Sequence, residues 1–212
     1  LFFAALEAPP PDHGTGSMFD LIAMRYDIIN RILSLGMDIG WRLQMVQKIQ
    51  ESVSSSSPRI LDVATGTADV ALLLSDKIPG ATIVGVDPSA NMLNVERQKI
   101  SKRYLSESIQ LVKMDAATGN FLFNEDDQLF DAATMAFGIR NVVDKETALC
   151  QIHKVLKPGA RFCILEFSEP DDSFGIMGQG AKLFIHYVVP FVGGMLSGKP
   201  REYWHLQNSI QD

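Results

Sequence analysis

Residues 60–69 read ILDVATGTAD and are the most informative segment for the fold. It starts as a short apolar run typical of a buried strand, turns tightly at Gly66 and then opens a helix. Gly66 lets the backbone approach a ligand closely, Thr65 and Thr67 add hydroxyls, and the helix start adds unpaired N–H groups. The pattern indicates a ligand site at a strand end, although a routine strand-to-helix turn would look the same.

The chain after Pro58 alternates strands with helices. Strands are predicted over 59–64, 82–86, 109–113, 130–135 and 162–167. Helices are predicted over 70–74, 91–104 and 145–156. Such alternation with short turns predicts an α/β fold, with a mostly parallel sheet and helices on both faces. In such a sheet, ligands bind beyond the carboxyl ends of the strands.

Two further strand ends carry residues suited to a nucleoside. Asp87 ends the second predicted strand, where a carboxylate can accept from both hydroxyls of a ribose. Met92, one turn into the next helix, can cover an adenine face, and Asp115, beside Ala116, can accept from an exocyclic amine. Each has a plainer alternative, namely a helix cap for Asp87, core packing for Met92 and a turn carboxylate for Asp115.

The first turn also discriminates between cofactors. A dinucleotide needs a glycine-rich GxGxxG turn around its pyrophosphate, whereas this chain has Ala64, Gly66 and Ala68 there. Asp62 and Asp69 lie beside the turn, and two carboxylates disfavour a pyrophosphate but favour a sulfonium and an ammonium. The residues therefore favour S-adenosylmethionine over NAD, with Asp62, Ala64 and Gly66 in the cofactor site.

Composition narrows the class of protein. The chain has 212 residues, 46% of them hydrophobic, and a formal net charge of −6, which suits one α/β domain and argues against a nucleic-acid partner. A small basic cluster is predicted on the exposed face of one helix: Arg97, Lys99, Lys102 and Arg103. Cys150 and Cys163 are predicted to be buried free thiols, which weakly favours a reducing compartment. No metal site is predicted, because the following histidines are scattered: His153, His186 and His205.

The chain is predicted to divide into three parts. Residues 1–17 are rich in Pro and Gly and are predicted to be flexible. Residues 18–57 are predicted to form an N-terminal helical lid, and residues 58–212 the cofactor-binding domain. Helices are predicted in the lid over 19–35, closed by Gly36, and over 38–52.

Two segments are more specific than the rest: FDLIAMRYDIINRILSLGMDIGWR (19–42) and MAFGIRNVVD (135–144). Four others occur more widely: ILDVATGTADVALLL (60–74), VGVDPSANML (84–93), VLKPGARFCILEFS (155–168) and, more weakly, EYWHLQNSI (202–210). Through them the chain resembles the ubiquinone/menaquinone biosynthesis C-methyltransferases over residues 19–210. The resemblance implies a Rossmann-like class I methyltransferase fold, in which the N-terminal helices form a substrate lid. It also implies methyl transfer from S-adenosylmethionine to a ring carbon of a polyprenylated benzoquinol or naphthoquinol.

The resemblance also implies which residues hold the cofactor. Four positions match those that hold it in the family: Thr67, Asp87, Asp115 and Ala116. Ala136 stands where the family often has Ser, and we include it in the predicted site, while Ala68 stands where the family commonly has Gly. The family usually runs on for some tens of residues beyond Asp212, so we expect either a truncated C-terminal end or a sheet that is completed differently.

Three residues are predicted to act in the reaction. Carbon methylation needs an electron-rich ring, and Arg140 and Asn141 follow the fourth predicted strand, facing the expected transfer position. Arg140 is predicted to stabilise a phenolate and to organise proton removal through water. The resemblance places Tyr26 over the same pocket, where it can hydrogen-bond a ring oxygen. The alternatives are a salt bridge from Arg140 to Asp144 and a half-buried core position for Tyr26.

The predicted partner is a polyprenylated quinol. Residues 183–196 are too short and interrupted to span a bilayer, and are predicted to form a core and lid helix pair. The alternative is that they border a channel for an isoprenoid tail, with peripheral contact to a membrane. A homodimer and a quinone-synthesis complex are both compatible with the sequence, as are a matrix-side location at the mitochondrial inner membrane in a eukaryote and a cytoplasmic location in a bacterium.

The sequence is compatible with other functions. The chain can be a class I methyltransferase for another small molecule, although the RYD and FGIRN motifs favour a quinol. It can also be a non-catalytic relative with the same fold. An NAD(P)-dependent oxidoreductase is less favoured, because the chain lacks GxGxxG.

Overall fold

A parallel sheet forms the centre of the protein. The computed structural model describes residue 27 and residues 30–32, 34–118 and 129–166. Its strands are β1 (Arg59–Val63), β2 (Thr82–Asp87), β3 (Ile109–Lys113), β4 (Phe130–Ala136) and β5 (Leu156–Leu165). All neighbouring strands pair in parallel, in the order β3-β2-β1-β4-β5. The chain therefore changes direction across the sheet between β1 and β4, which is the place where open α/β sheets bind ligands.

Helices cover both faces of this sheet. They are α1 (Met37–Gln50), α2 (Asp69–Lys77), α3 (Ala90–Lys102) and α4 (Lys145–Val155), with a short 3-10 helix at Ile139–Asn141. The predicted α/β fold with a parallel sheet is confirmed. Most predicted strands and helices match the observed ones closely, since strong alternation of apolar runs and turn residues marks them in the sequence.

Alternating strand residues build two separate cores. Along β1, Ile60 packs into one core and Leu61 into the other, because successive side chains of a strand point to opposite faces. The first core includes residues of α1 and α2, such as Val46 and Leu74, and the second includes Ile152 of α4. The two cores are buried on opposite faces of the sheet, so tightly packed side chains support the strand ends that carry the predicted site.

The last described strand differs from its prediction. β5 begins at Leu156, whereas the sequence predicted a start at 162 after a turn at Pro158 and Gly159. Phe130 of β4 pairs with Leu156 and Ala132 with Arg161, so residues 157–160 bulge opposite a single residue of β4. The Pro-Gly pair thus interrupts the register without ending the strand, and Gly159 takes the left-handed φ of 80° that such a bulge needs.

The start of α1 follows the predicted helix closure. Gly36 has a φ of 77°, and its N–H donates to the carbonyl of Arg31 at 2.9 Å. This is the left-handed closing residue predicted at that position. Most of the predicted helix over 19–35 lies outside the described residues, as do residues 183–196, His186 and His205. Within the described ranges, no helix combines the length and the apolar character needed to cross a bilayer.

Two surface predictions need correction. Cys150 is exposed and Cys163 is half-buried, so neither is the buried thiol predicted from its apolar surroundings. Cys150 lies on the outward face of α4, between the buried Ala148 and Ile152. Lys99 was predicted on an exposed helix face, but its side chain is only 28% exposed because it pairs with two carboxylates, described below.

Candidate active site

A cavity opens at the carboxyl ends of the strands. Every residue that was predicted to hold the cofactor lines it: Asp62, Ala64, Gly66, Thr67, Asp87, Met92, Asp115, Ala116 and Ala136. They come from the ends of β1, β2 and β4 and from the segment after β3. The strand order therefore brings together residues that lie up to 74 positions apart in sequence, between Asp62 and Ala136.

The turn between β1 and α2 contains a run of left-handed residues. Ala64, Gly66 and Ala68 have φ values of 53°, 63° and 79°. An alanine in this region carries strain of roughly 1–2 kcal/mol, which explains why a glycine suits position 68. The Ala68 side chain is fully buried in the core and does not line the cavity. Its methyl group therefore affects the stability of the turn rather than the space for a ligand.

Asp62 is a buried carboxylate at the base of the cavity. It is 1% exposed and accepts hydrogen bonds from the hydroxyls of Thr65 and Thr134, each at 2.7 Å. Burial raises the pKa of Asp62 to about 6, against the lowering effect of these two hydroxyls. At neutral pH the group is therefore largely ionised, and it gives the cavity a fixed negative charge.

Asp87 ties the end of β2 to the first turn. Its carboxylate accepts from the N–H of Gly66 at 3.0 Å and from the N–H of Ser89 at 2.8 Å. The N-cap of α3 is Ser89, whose hydroxyl accepts from the N–H of Met92 at 3.1 Å. The capping alternative for Asp87 is therefore wrong, since Ser89 takes that role, and the carboxylate of Asp87 lines the cavity instead.

A methionine and a turn carboxylate also line the cavity. Met92 is 1% exposed, so it belongs to the packed interior and to the cavity wall at once. Asp115 accepts from the N–H of Ala117 at 2.8 Å, which orders the turn after β3. Both plain alternatives for these residues are thus compatible with the predicted roles, because the same side chains also line the cavity.

The three predicted catalytic residues differ in their relation to the cavity. Asn141 lines it, and its Oδ1 is buried without a hydrogen-bond partner among the described residues. The guanidinium of Arg140 pairs with Glu166 and is not among the lining groups. The alternative pairing with Asp144 is wrong, since that carboxylate caps α4 through Thr147 at 2.9 Å and 2.6 Å. Tyr26 lies outside the described residues.

The lining residues that the sequence analysis did not single out include Arg42 and Phe137. Arg42 is only 8% exposed, and its guanidinium lies 5.2 Å from the ring centre of Phe137. Phe137 follows β4 with a left-handed φ of 57°, and its N–H donates to the carbonyl of Leu165 at 2.7 Å. A strained non-glycine residue at a cavity is a common sign of a functional site. Both residues stand in the two specific segments, which was the only signal available.

An ion-pair network joins α1 and the residues before it to the cavity. Asp69, at the start of α2, contacts Lys99 at 3.3 Å, Arg31 at 3.4 Å and Arg42 at 3.6 Å. Lys99 also pairs with Asp27 at 2.5 Å, and Asp27 accepts from the hydroxyl of Thr67. The network explains why Lys99 is not on a free surface, and it places Asp27, the neighbour of Tyr26, against the first turn.

The fold and the cavity define an α/β protein with a candidate ligand site at the carboxyl ends of its parallel strands. The chain is similar to the crystal structure of an S-adenosylmethionine-dependent methyltransferase from Clostridium acetobutylicum, with a TM-score of 0.55 and 20% identity, over 68% of this chain and 56% of that one. At this identity the likeness shows the fold alone.

The ubiE/COQ5 methyltransferase family matches residues 11–212, and the chain belongs to that family. It is 41% identical to a demethylmenaquinone methyltransferase of Thermus thermophilus, over 92% of this chain and 83% of the relative. It is also 41% identical to a ubiquinone/menaquinone biosynthesis C-methyltransferase of Geotalea daltonii, over 91% of this chain and 78% of that relative. Membership places the chain among methyltransferases rather than oxidoreductases. Both relatives are bacterial, so the mitochondrial alternative gains no support from them.

Proposed function

We propose that the chain transfers the methyl group of S-adenosylmethionine to a ring carbon of a polyprenylated quinol. The observation that carries this proposal is the cavity in which Asp62, Asp87 and Asp115 converge from three successive strand ends. The names of the two bacterial relatives support a quinol substrate. Menaquinone, whose head group is a naphthoquinone, occurs in both names, so we favour a naphthoquinol over a benzoquinol.

The lining groups suit the parts of S-adenosylmethionine. These residues line one cavity, and in this proposal Asp87 accepts from the ribose hydroxyls, Asp115 accepts from the adenine amine, and Met92 covers the ring. Asp62 supplies negative charge near the methionine portion, which carries a sulfonium and an ammonium. Arg42 is the one guanidinium among the described lining residues, and it can pair with the methionine carboxylate. When bound, the cofactor supplies an electrophilic methyl group.

The residues beside β4 are assigned to the quinol. Arg140 stabilises the ring oxygen as a phenolate, and that negative charge makes the ring carbon more nucleophilic. Glu166 accepts from the backbone N–H of Arg140 at 3.3 Å as well as pairing with its side chain, so it orients the guanidinium. A guanidinium does not give up its own proton, so the ring proton leaves through water. Asn141, with its buried Oδ1, directs a donor such as that water.

A methyl-transfer assay tests the proposal. The purified chain is incubated with S-adenosylmethionine carrying a labelled methyl group and with either a demethylated naphthoquinol or a benzoquinol, each with a short prenyl tail. We expect the labelled methyl on a ring carbon of the naphthoquinol. Asp76→Asn, which alters only an exposed pair with Arg103, is the matched control for site variants. Binding of the cofactor without transfer to either quinol would favour a methyltransferase for another small molecule.

A further inference from the structure

Glu96 is a buried carboxyl group that the proposed reaction does not use. It lies on α3, is 0% exposed, and stands behind the cavity wall without lining it. Its Oε1 is 3.0 Å from the hydroxyl oxygen of Thr65, and the same hydroxyl is 2.7 Å from Oδ2 of Asp62. A single threonine therefore bridges a hidden carboxyl group and a carboxylate of the candidate site.

The single hydrogen of the Thr65 hydroxyl limits the protonation states that Glu96 and Asp62 can have together. A threonine hydroxyl carries one hydrogen and cannot donate to two carboxylates at once. If both acids were ionised, the hydroxyl of Thr65 could donate to only one of them. The lone pairs of its oxygen would then face the lone pairs of the other carboxylate, without a hydrogen between them. One of the acids must therefore hold a proton and donate it to the oxygen of Thr65.

The remaining partners identify which acid is neutral. Asp62 receives a second hydrogen bond from Thr134, so each of its oxygens has a donor. Oε2 of Glu96 has no hydrogen-bond partner among the described residues. An unpaired oxygen is far less costly on a neutral acid than on a buried carboxylate. The hydrogen bonds therefore run from Glu96 to Thr65 and from Thr65 to Asp62.

The charges around Glu96 agree with this direction. Asp62 faces it from β1 and Asp87 from the end of β2, and both disfavour a second negative charge. Lys99 on the same helix acts in the opposite sense, but it is engaged by Asp27 and Asp69. Burial, with the charge of Asp62 next, raises the pKa of Glu96 to about 9.

Space for the bridge comes from a glycine on the next strand. Gly85 pairs in register with Asp62, and a Cβ at position 85 would lie 3.0 Å from the hydroxyl oxygen of Thr65 and 3.1 Å from its methyl. Any larger residue there would push against both branches of the threonine. The absence of a side chain at this position of β2 lets Thr65 turn inward between the two acids.

We propose that Glu96 is a positioning residue that works as a neutral acid, and that it fixes the orientation of Asp62 through the hydroxyl of Thr65. The inference rests on the proposed function, because that function assigns Asp62 to the methionine portion of the cofactor. It adds a residue on the far side of the cavity wall, which touches no ligand itself. Glu96 acts on Asp62 through the hydrogen bond that its retained proton makes to Thr65.

Affinity measured against pH tests this role. The probe is S-adenosylhomocysteine, titrated calorimetrically into the wild type, Glu96→Gln and Glu96→Leu between about pH 7.5 and about pH 9.5. Glutamine keeps a donor toward Thr65 but does not titrate, while leucine has no donor. The matched control is Glu107→Gln, since Glu107 is exposed.

We expect Glu96→Gln to bind the probe as the wild type does at pH 7.5. As the pH rises past 9, the wild type should lose roughly tenfold more affinity than Glu96→Gln does. Glu96→Leu should bind roughly threefold to tenfold more weakly already at pH 7.5. Identical pH profiles in the wild type and Glu96→Gln, or wild-type affinity in Glu96→Leu, would overturn the role of Glu96. No binding in any of these proteins would instead contradict the proposed function.

Discussion

Gly138 lies so close to Ala64 that a Cβ at position 138 would stand 2.5 Å from the Cβ of Ala64. The contact joins the turn after β1 to the segment after β4, and both line the cavity. Gly138 has a φ of −112°, so a glycine is needed at this position for space and not for a left-handed backbone. The two halves of the candidate site are thus packed backbone to side chain.

Gly138→Ala is expected to destabilise the protein by about 1–3 kcal/mol, because the added methyl must push the two turns apart. It should also weaken cofactor binding, since both turns line the cavity. Chemical denaturation and calorimetric titration measure the two effects. Gly40→Ala is the matched control: nothing lies within 4 Å of its added Cβ, and it sits inside α1. That variant should gain about 0.5–1 kcal/mol. Equal stabilities of the two variants would contradict the packing described here.

Asp87→Asn is expected to reduce the affinity for S-adenosylmethionine roughly tenfold or more. The substitution removes the negative charge of the carboxylate that accepts from the N–H of Gly66 and is assigned to the ribose. Hydrogen bonds to a charged group contribute about 1.5–3 kcal/mol. Calorimetric titration beside the control Asp76→Asn measures the change. An affinity equal to that of the control would show that Asp87 does not contact the cofactor.

Arg140→Ala is expected to lower kcat about 100-fold while the affinity for the cofactor changes little. The affinity should change little because the guanidinium of Arg140 pairs with Glu166 and does not line the cavity. Glu166→Gln should show a smaller loss, because the neutral amide still orients Arg140. Arg103→Ala removes a guanidinium from an exposed ion pair and serves as the control. Full turnover in Arg140→Ala would remove it from the mechanism.

The stability of the wild type is expected to fall as the pH rises from about 4.5 to about 9. Glu96 has a raised pKa in the folded protein, so folding retains a proton that the unfolded chain releases above its usual pKa near 4.5. The contribution is fully present below that pH and is lost as the pH rises toward 9. Glu96→Gln does not titrate and should be more stable than the wild type at pH 7.5, by on the order of 3 kcal/mol. A gap that stays constant from pH 5 to pH 8 would show that Glu96 is ionised when folded.

The strand ends could be predicted from the sequence, whereas several helix residues could not. Asp62, Asp87 and Asp115 follow short apolar runs, and parallel strands bring their carboxyl ends to one edge. Arg42 and Glu96 look like exposed helix residues by composition, because their burial depends on which helix face meets the sheet. The same holds in reverse for Cys150, which shares an apolar run with buried neighbours but points outward.

Partner choice was equally hidden from the sequence. Arg140 had, as the alternative to its predicted role, a salt bridge to Asp144, four positions away, since only local spacing is readable from a chain. The structure pairs it with Glu166, which follows β5, the neighbour of β4 in the sheet. Pro158 and Gly159 likewise indicated a turn before the fifth strand, because the register that lets β5 begin ahead of them is set by β4.

Calorimetric titration with S-adenosylmethionine, S-adenosylhomocysteine and NADH tests whether the cavity is a site for S-adenosylmethionine. The expected result is saturable binding of the two sulfur nucleosides, weakened in Asp87→Asn, and no binding of NADH, because Asp62 and Asp69 flank the turn where a pyrophosphate would lie. Binding of NADH, or the absence of binding by both sulfur nucleosides, would contradict it.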